Sequence, residues 1–403
     1  MKGNSPFACR AYLYGNVKTH KPGFPIRPII STVGSVSYSL SKFLVKLLQP
    51  LVGTIANSNV LNSVDLVNKL RNVNIEDGDC MVSFDVTSLF TNVPVDDVLN
   101  FLTTELDCYV FSLPTPVIVQ LIRLCVVDTC FIFNGRYYKQ KRGMQMGNCL
   151  SPILANIYME YYETRLASAI LPENTLWLRY VDDIFCKWKS SYDLNATLQH
   201  LNNLVPSIKF TIELEENDSI AFLDVKIIKE NHRLKFSIHR KMTSNNLIIH
   251  SKSFHHKQTK QSALRSMFLR ALQVVSPQFL DDEINNIYEI GFKHGFNFFE
   301  TDECLSLAKK TFYSTCKYNH ATKYDICLPY HPCFESIIYP LKLLGFSLSF
   351  SYPATIGNVM IRNSPLYDEG TVYMIPCQCR RFYIGQTSKS LKKRIATQVF
   401  SCY

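Results

Sequence analysis

Short apolar runs closed by turn residues fill the middle of the chain, and stretches of helical spacing separate them. Residues 80–84 are apolar and few, as in a buried strand, and they deliver Asp85 at the strand end. "FIFNGRYYKQ" (131–140) carries two strand-like halves about Asn134 and Gly135, a strong hairpin signal. "RGMQMGN" (142–148) reads as a flexible glycine loop, where backbone can approach a ligand closely. A helix is predicted from Ser151, with Ser151 as its cap and Pro152 in its first turn. One face of that helix shows Ile153, Ile157 and Tyr161, with Leu154 and Tyr158 beside them. Apolar and aromatic residues then flank "RYVDDIF" (179–185), predicting a hairpin with Asp182 and Asp183 at its turn. "PSIKFTIELEENDSIAFLDVKII" (206–228) predicts two more strands, with Lys209 entering the first. The pattern turns helical after Thr259 and stays so through 281–345. Around 346–369 it shifts to loop residues, and "VYMI" and "FYIG" then read as two strands before a last helix.

Charge sharpens this picture. The 403-residue chain has room for two or three domains, and its net charge of +10 is unevenly placed. Residues 1–64 hold seven Lys/Arg and no Asp or Glu; residues 231–280 hold nine and again no acid. Everything outside these two blocks is therefore net acidic. Two basic blocks about an acidic middle suggest a polyanion held on both sides of a cation-binding centre. No apolar run is long enough to span a membrane, and "MKGNSPFACRAYLYGN" lacks the apolar core of a secretory signal. The fourteen cysteines follow no regular framework and read as reduced, intracellular thiols. Cys316, His320, Cys327, His331 and Cys333 form an irregular group, either a zinc site or buried thiols with loop histidines.

The candidate chemistry centres on carboxylates. Adjacent Asp182 and Asp183 repel each other, and a divalent cation would offset that repulsion. Asp85 at a strand end, with the Val86 carbonyl beside it, offers the oxygen donors that Mg²⁺ takes. Three carboxylates from two strands are what two-metal nucleotidyl transfer needs: one ion activates a 3′-hydroxyl, the other steadies the leaving pyrophosphate. Asp85 and Asp182 are expected to share a cation, with Asp183 at the rim and at least one pKa raised by repulsion. Phe90 is either a bulky ring beneath a sugar, rejecting a 2′-hydroxyl, or ordinary core.

The ordered set "SFDVTSLFTNVP", "GMQMGNCLSPILANIYME" and "RYVDDIF" resembles reverse transcriptases, and within them the Penelope-like retroelements, over roughly residues 10 to 280. The resemblance implies an α+β right-hand polymerase with fingers, palm and thumb. It implies Asp85, Asp182 and Asp183 as catalytic and metal-binding residues, with Val86 lending a carbonyl to two Mg²⁺ ions, or Mn²⁺ in their place. It implies Phe90 as a steric gate and Gly147 beside the nucleotide or templating base. "VKTHKPGFPIRPII" (17–30) resembles the motif that grips the incoming triphosphate, through Lys18 and Arg27, with Lys21 a competing cation. Met146 stands where many relatives have Gln, and Gln145 lies one position earlier. Lys209 falls where some polymerases place a proton donor for pyrophosphate.

The implied partners are an RNA template, a DNA primer or RNA–DNA hybrid, and deoxyribonucleoside triphosphates. No membrane partner is implied, and a nuclear site of action is compatible. Residues 1–230 would be fingers and palm, 231–345 a basic, thumb-like helical region, 346–369 a linker and 370–403 a GIY-YIG nuclease unit. Tyr373, Tyr383 and Arg394 match that unit's motif, while Thr397 and Gln398 replace its usual Glu-His. The unit is expected to be truncated and inactive, because its metal-binding Glu would lie beyond Tyr403. The alternative to an active polymerase is an inactive, nucleic-acid-binding remnant of such an element.

Overall fold

The computed structural model describes residues 11–17, 23–109, 111–127, 129–172, 175–241, 246–314, 324–329, 337–343, 346–351, 371–376 and 382–387. They fall into two compact units, Met1–Thr243 and Ser244–Tyr403. The first runs β1 (Tyr12–Val17), β2 (Ile26–Ser31), α1 (Tyr38–Leu48), α2 (Ser63–Leu70), β3 (Asp79–Val86), α3 (Leu89–Asn92), α4 (Val95–Glu105) and α5 (Thr115–Val126). It continues with β4 (Cys130–Phe133), β5 (Arg136–Lys139), α6 (Ser151–Tyr161), β6 (Leu176–Tyr180), β7 (Asp183–Lys189), α7 (Leu194–Leu204) and β8 (Phe210–Leu214). β9 (Ser219–Phe222), β10 (Val225–Glu230) and β11 (Arg233–Ile238) close it.

A central antiparallel sheet, ordered β6-β7-β3-β8, organises this unit. Cross-strand partners share a face. Val82 with Cys186 and Phe84 with Ile184 give one face to the core, where all four are fully buried. The Phe84 and Trp177 rings meet there at 5.2 Å. On the other face Phe185 meets Phe222 edge-on at 5.9 Å, bringing the sheet β9-β10-β11 against it. α6 is buried on nearly every side, as a helix apolar all round must be. Among its polar residues Glu160 is also fully buried, and it accepts backbone N–H groups from Gly53 at 2.6 Å, Ile55 at 3.0 Å and Ala56 at 3.2 Å. Burial pushes the Glu160 carboxyl above the usual range, against the pull of those N–H groups and of Arg179. Beyond α6 the helix widens into a π-helical turn, Tyr162–Ala167.

A second sheet, β2-β1-β4-β5, holds the hairpin predicted at 134–135. Asn134 and Gly135 both have positive φ, as a two-residue turn between twisted strands requires. The glycine loop differs from expectation. It is wedged rather than free: Met144 N–H donates to the Phe90 carbonyl at 2.6 Å, and Ile30 N–H donates to the Met146 carbonyl at 2.7 Å. A Cβ on Gly143, at φ +65°, would stand 2.2 Å from the Thr91 carbonyl oxygen. One on Gly147, at φ +121°, would stand 2.4 Å from the Ile30 carbonyl oxygen. Backbone packing alone therefore demands both glycines. Ser151 is not a cap either. It lies inside the first turn, and its hydroxyl donates to the Gln145 carbonyl at 2.8 Å, pinning the loop. The Asn148 side chain accepts the Leu150 N–H instead, at 3.0 Å.

Residues 206–228 hold three strands, not two. Asn217 and Asp218, both at positive φ, turn the chain between β8 and β9, so β8 joins the central sheet and β9 the neighbouring one. The boundary expected at 230/231 falls inside the β10–β11 hairpin, whose full pairing keeps β11 in the first unit.

In the second unit α8 (Lys257–Val274), α9 (Pro277–Lys293) and α10 (Phe298–Tyr313) pack around Leu264, Phe268, Ile287, Cys304 and Ala308. Asn297 and Glu300 form a reciprocal capping box at the start of α10. β12 (Tyr324–Pro329) and β13 (Phe346–Ser351) pair in parallel, so strands occupy part of the expected helical region and the start of the expected linker. β14 (Thr371–Pro376) and β15 (Phe382–Thr387) pair antiparallel, as the strand pattern predicted. No described helix is long and apolar enough to cross a membrane.

Gly143→Ala should lower the stability of the first unit by about 1–3 kcal/mol, because a Cβ there meets backbone and φ is positive. Denaturant unfolding followed by tryptophan fluorescence measures it, since both tryptophans lie in β6 and β7.

Candidate active site

The register of the central sheet builds the site. Asp85 on β3 is the cross-strand partner of Asp183 on β7, Asp183 also pairs with Tyr180 on β6, and Asp85 with Thr211 on β8. Tyr180, Asp183, Asp85 and Thr211 thus form one row across four strands on one face. Tyr180, Asp85 and Thr211 are exposed and Asp183 half-buried. Asp182 stands beside the row in the two-residue loop of the β6–β7 hairpin, and its carbonyl accepts the Val86 N–H at 3.0 Å. The expectation had Asp85 and Asp182 close enough to share a cation, with Asp183 at the rim. The strand pairing sets Asp183 opposite Asp85 and leaves Asp182 in the adjoining turn.

Asp183 feels its neighbours. Its pKa is pushed up to about 6, first by burial, then by the charges of Asp182 and Asp85, with Lys241 pulling it down. Burial outweighs the repulsion that the sequence suggested. Among the described residues no three His, Cys, Asp or Glu side chains are already gathered as a metal cage. The donor set still fits a divalent cation. These are hard oxygen ligands, their charges act on one another through a half-buried site, and a cation would relieve both penalties.

The first position of the hairpin loop, Val181, has φ +57°. Two-residue hairpin loops need such a φ and usually place glycine there; a β-branched residue in it is strained. Arg179 lies on the opposite, core-facing side and is fully buried. Its Nε donates to Glu163 at 2.6 Å, and its Nη1 to Asn156 Oδ1 at 2.9 Å and to the Val181 carbonyl at 3.2 Å. Glu163 also accepts from Trp177 Nε1 at 3.1 Å and from the Ser58 hydroxyl. The Arg179 backbone is fixed too, with its N–H donating to Ser58 and its carbonyl accepting from Val60. Sequence reading did not single out Asn156, Glu160 and Glu163. Their spacing along one side of an otherwise apolar helix was the available signal.

The remaining candidates are placed as follows. Phe90 is half-buried and packs against the core, in α3 beside the glycine loop. Gly147 sits under β2, and Thr32 Oγ1 donates to its carbonyl at 3.2 Å. Arg27 is exposed on β2. The ammonium of Lys209 donates to the Asn202 carbonyl, within the first unit. Lys18 and Lys21 lie outside the described residues, as do Cys316, His320, His331, Cys333 and Arg394; Cys327 falls in β12, Tyr373 in β14 and Tyr383 in β15.

Residues 19–216 match the family model for reverse transcriptase (RNA-dependent DNA polymerase). Residues 247–297 match the model for an animal helix-turn-helix domain, which spans the α8–α9 pair. No curated protein matches the chain. Among solved structures, telomerase from Candida albicans with a fragment of telomeric RNA is 12% identical, over 79% of this chain and 63% of its own, with a TM-score of 0.49. Apo telomerase from Candida tropicalis is 13% identical, over 79% of this chain and 60% of its own, with a TM-score of 0.47. The Sicinivirus 3Dpol RNA-dependent RNA polymerase is 13% identical, over 75% and 68%, with a TM-score of 0.46. The chain thus spans less than two thirds of the length of either telomerase.

An acid with a higher pKa folded than unfolded keeps its proton longest in the folded chain. In metal-free protein the stability tied to protonated Asp183 is fully present below about 4 and is lost as pH rises through about 6. Asp183→Asn should flatten that loss and exceed wild-type stability at neutral pH, as denaturant titrations across the pH range will show. Added Mg²⁺ should narrow the difference.

Proposed function

We propose that residues 19–216 form a reverse transcriptase domain and work as an RNA-directed DNA polymerase of a Penelope-like retroelement, extending a DNA primer on an RNA template. The observation that carries this is the paired Asp85 and Asp183 on one exposed sheet face, with Asp182 in the adjoining turn. In this reading the central sheet is the palm of a right-hand polymerase and β1 and β2 belong to the fingers.

Asp85, Asp182 and Asp183, with the Val86 carbonyl, would hold two Mg²⁺ ions, with Mn²⁺ an acceptable substitute. Bound there, such ions activate a primer 3′-hydroxyl and neutralise charge on the leaving pyrophosphate. The chain's own residues do the rest. The sheet register holds the carboxylates on one rigid surface, which spares reorganisation during transfer. Arg27 on the exposed edge of β2, together with Lys18, would meet the triphosphate. The backbone at Gly147 and the ring of Phe90, both fixed by the glycine loop, would form the floor beneath the sugar and base. Phe90 excludes a 2′-hydroxyl by bulk while its other side packs on the core.

The basic second unit would take the backbone of the hybrid, which needs no base readout. The helix-turn-helix match over 247–297 supports a nucleic-acid role for α8 and α9. Some of its cations are already engaged: Lys257 pairs with Glu303 at 2.8 Å, and Lys260 donates to the Ser251 carbonyl at 2.8 Å. Phosphate would have to compete with these contacts. For residues 370–403 the GIY-YIG reading rests on Tyr373, Tyr383 and Arg394, and the antiparallel β14–β15 pair suits the hairpin of that motif.

Primer extension on poly(rA)/oligo(dT) with Mg²⁺ tests the reading. Asp182→Asn should abolish extension while hybrid binding stays nearly intact; extension at the wild-type rate would refute the assignment. Phe90→Ala should raise ribonucleotide incorporation relative to deoxyribonucleotide on the order of 10–100-fold, within the range a pocket-volume change commands. Single-nucleotide incorporation ratios measure this independently of any loss of stability. An unchanged ratio would return Phe90 to the core.

A further inference from the structure

We propose that Arg179 is a positioning residue: from the buried face of the sheet, its guanidinium holds the Val181 turn and thereby fixes where Asp182 and Asp183 stand. What those carboxylates do rests on the polymerase reading; that Arg179 places them does not.

The turn needs a holder. Val181 occupies a left-handed conformation that a β-branched side chain disfavours, and such strain persists only where the surroundings over-determine it. Two contacts do so here. The Val86 N–H fixes the Asp182 carbonyl from β3, and Arg179 Nη1 fixes the Val181 carbonyl from beneath. These two carbonyls are successive, and they belong to the two residues of the loop. With both held, the two peptide planes that flank the Asp182 Cα each have one orientation, and the side chain of Asp182 leaves that Cα in one direction.

Arg179 can do this because it is itself immobilised. A guanidinium carries its donors in a planar fork, so fixing two of them fixes the third. Glu163 takes Nε, the Asn156 side chain shares Nη1 with the Val181 carbonyl, and the Asn156 carbonyl lies 3.5 Å from Nη2. Asn156 and Glu163 come from α6 and its π-helical extension, the most buried helical segment of the unit. The turn is therefore referenced to the core through one side chain. A buried Arg–Glu pair whose only task was to tie β6 to α6 would need neither the Val181 carbonyl nor the strained residue beside it.

Amide hydrogen exchange over residues 180–184 reads the turn without metal, nucleotide or activity. Arg179→Lys keeps a cation opposite Glu163 but loses the fork. It should speed exchange in this segment by about tenfold while residues 176–178 and the global unfolding midpoint change little. Adding Val181→Asn, a residue that accepts the left-handed region more readily, should restore protection. In extension assays Arg179→Lys should lower kcat by about tenfold or more, the usual scale for a residue supporting metal ligands, with KM for the nucleotide within about twofold. Unchanged exchange at 180–184 in Arg179→Lys, or loss that Val181→Asn does not relieve, overturns the proposal. Should Arg179→Lys fail to fold, Asn156→Ala removes only an acceptor of Nη1 and should give the same exchange signature in weaker form; no change there also overturns it. Wild-type protein that fails to extend primers, with the exchange results as expected, would sink the polymerase reading and leave this one standing.

Discussion

The pairing register of β3 against β7 is the constraint on which the first unit depends. Side chains alternate across a strand, so a slip of one residue would carry Asp183 into the core and bring Ile184 out to the exposed face. The register is held at many points. Val82, Phe84, Ile184 and Cys186 have one side to occupy, and Phe185 has its own partner, Phe222, on the other. The apolar residues choose the face on which the acids appear. The charged row is a by-product of core packing, and it needs no favourable energy of its own.

Much of this was legible in the chain, for local reasons. The strand ending in Asp85, the Asn134–Gly135 hairpin and the hairpin around Asp182 and Asp183 are each encoded within about ten residues by alternation and turn chemistry. What escaped was non-local. Glu163 and Asn156 meet Arg179 across sixteen and twenty-three positions, and nothing in their immediate sequence names that partner. Ser151 has the composition of a cap, yet the nearby Gln145 carbonyl captures its hydroxyl and Asn148 serves the helix end. β12 and β13 are parallel, so no tight turn joins them to announce a pair. Residues 219–228 form one largely apolar run, yet Leu223, at positive φ, folds it into the tight β9–β10 hairpin, so a third strand carries no polar marker of its own.

Polar groups buried in α6 and its π-helical extension follow a consistent logic. Glu160 and Glu163 are each surrounded by several donors, and burial without them would be costly. The donors come from the segment spanning Gly53 to Ser58 and from β6. Specific acceptors in a dry helix thus recruit irregular backbone into the core, where a greasy surface alone would leave its N–H groups unsatisfied.

The contact between Gly147 and β2 has a mechanical consequence. With the Ile30 carbonyl occupying the space of a Cβ, and the Ile30 N–H bonded to Met146, strand and loop behave as one lever. The loop's other end is seated on α3 through Gly143 and Met144. A pull on β2, whatever molecule exerts it, is delivered along a few bonds of stiff backbone to the helix that carries Phe90. Strand, loop and helix are therefore positioned together rather than one at a time.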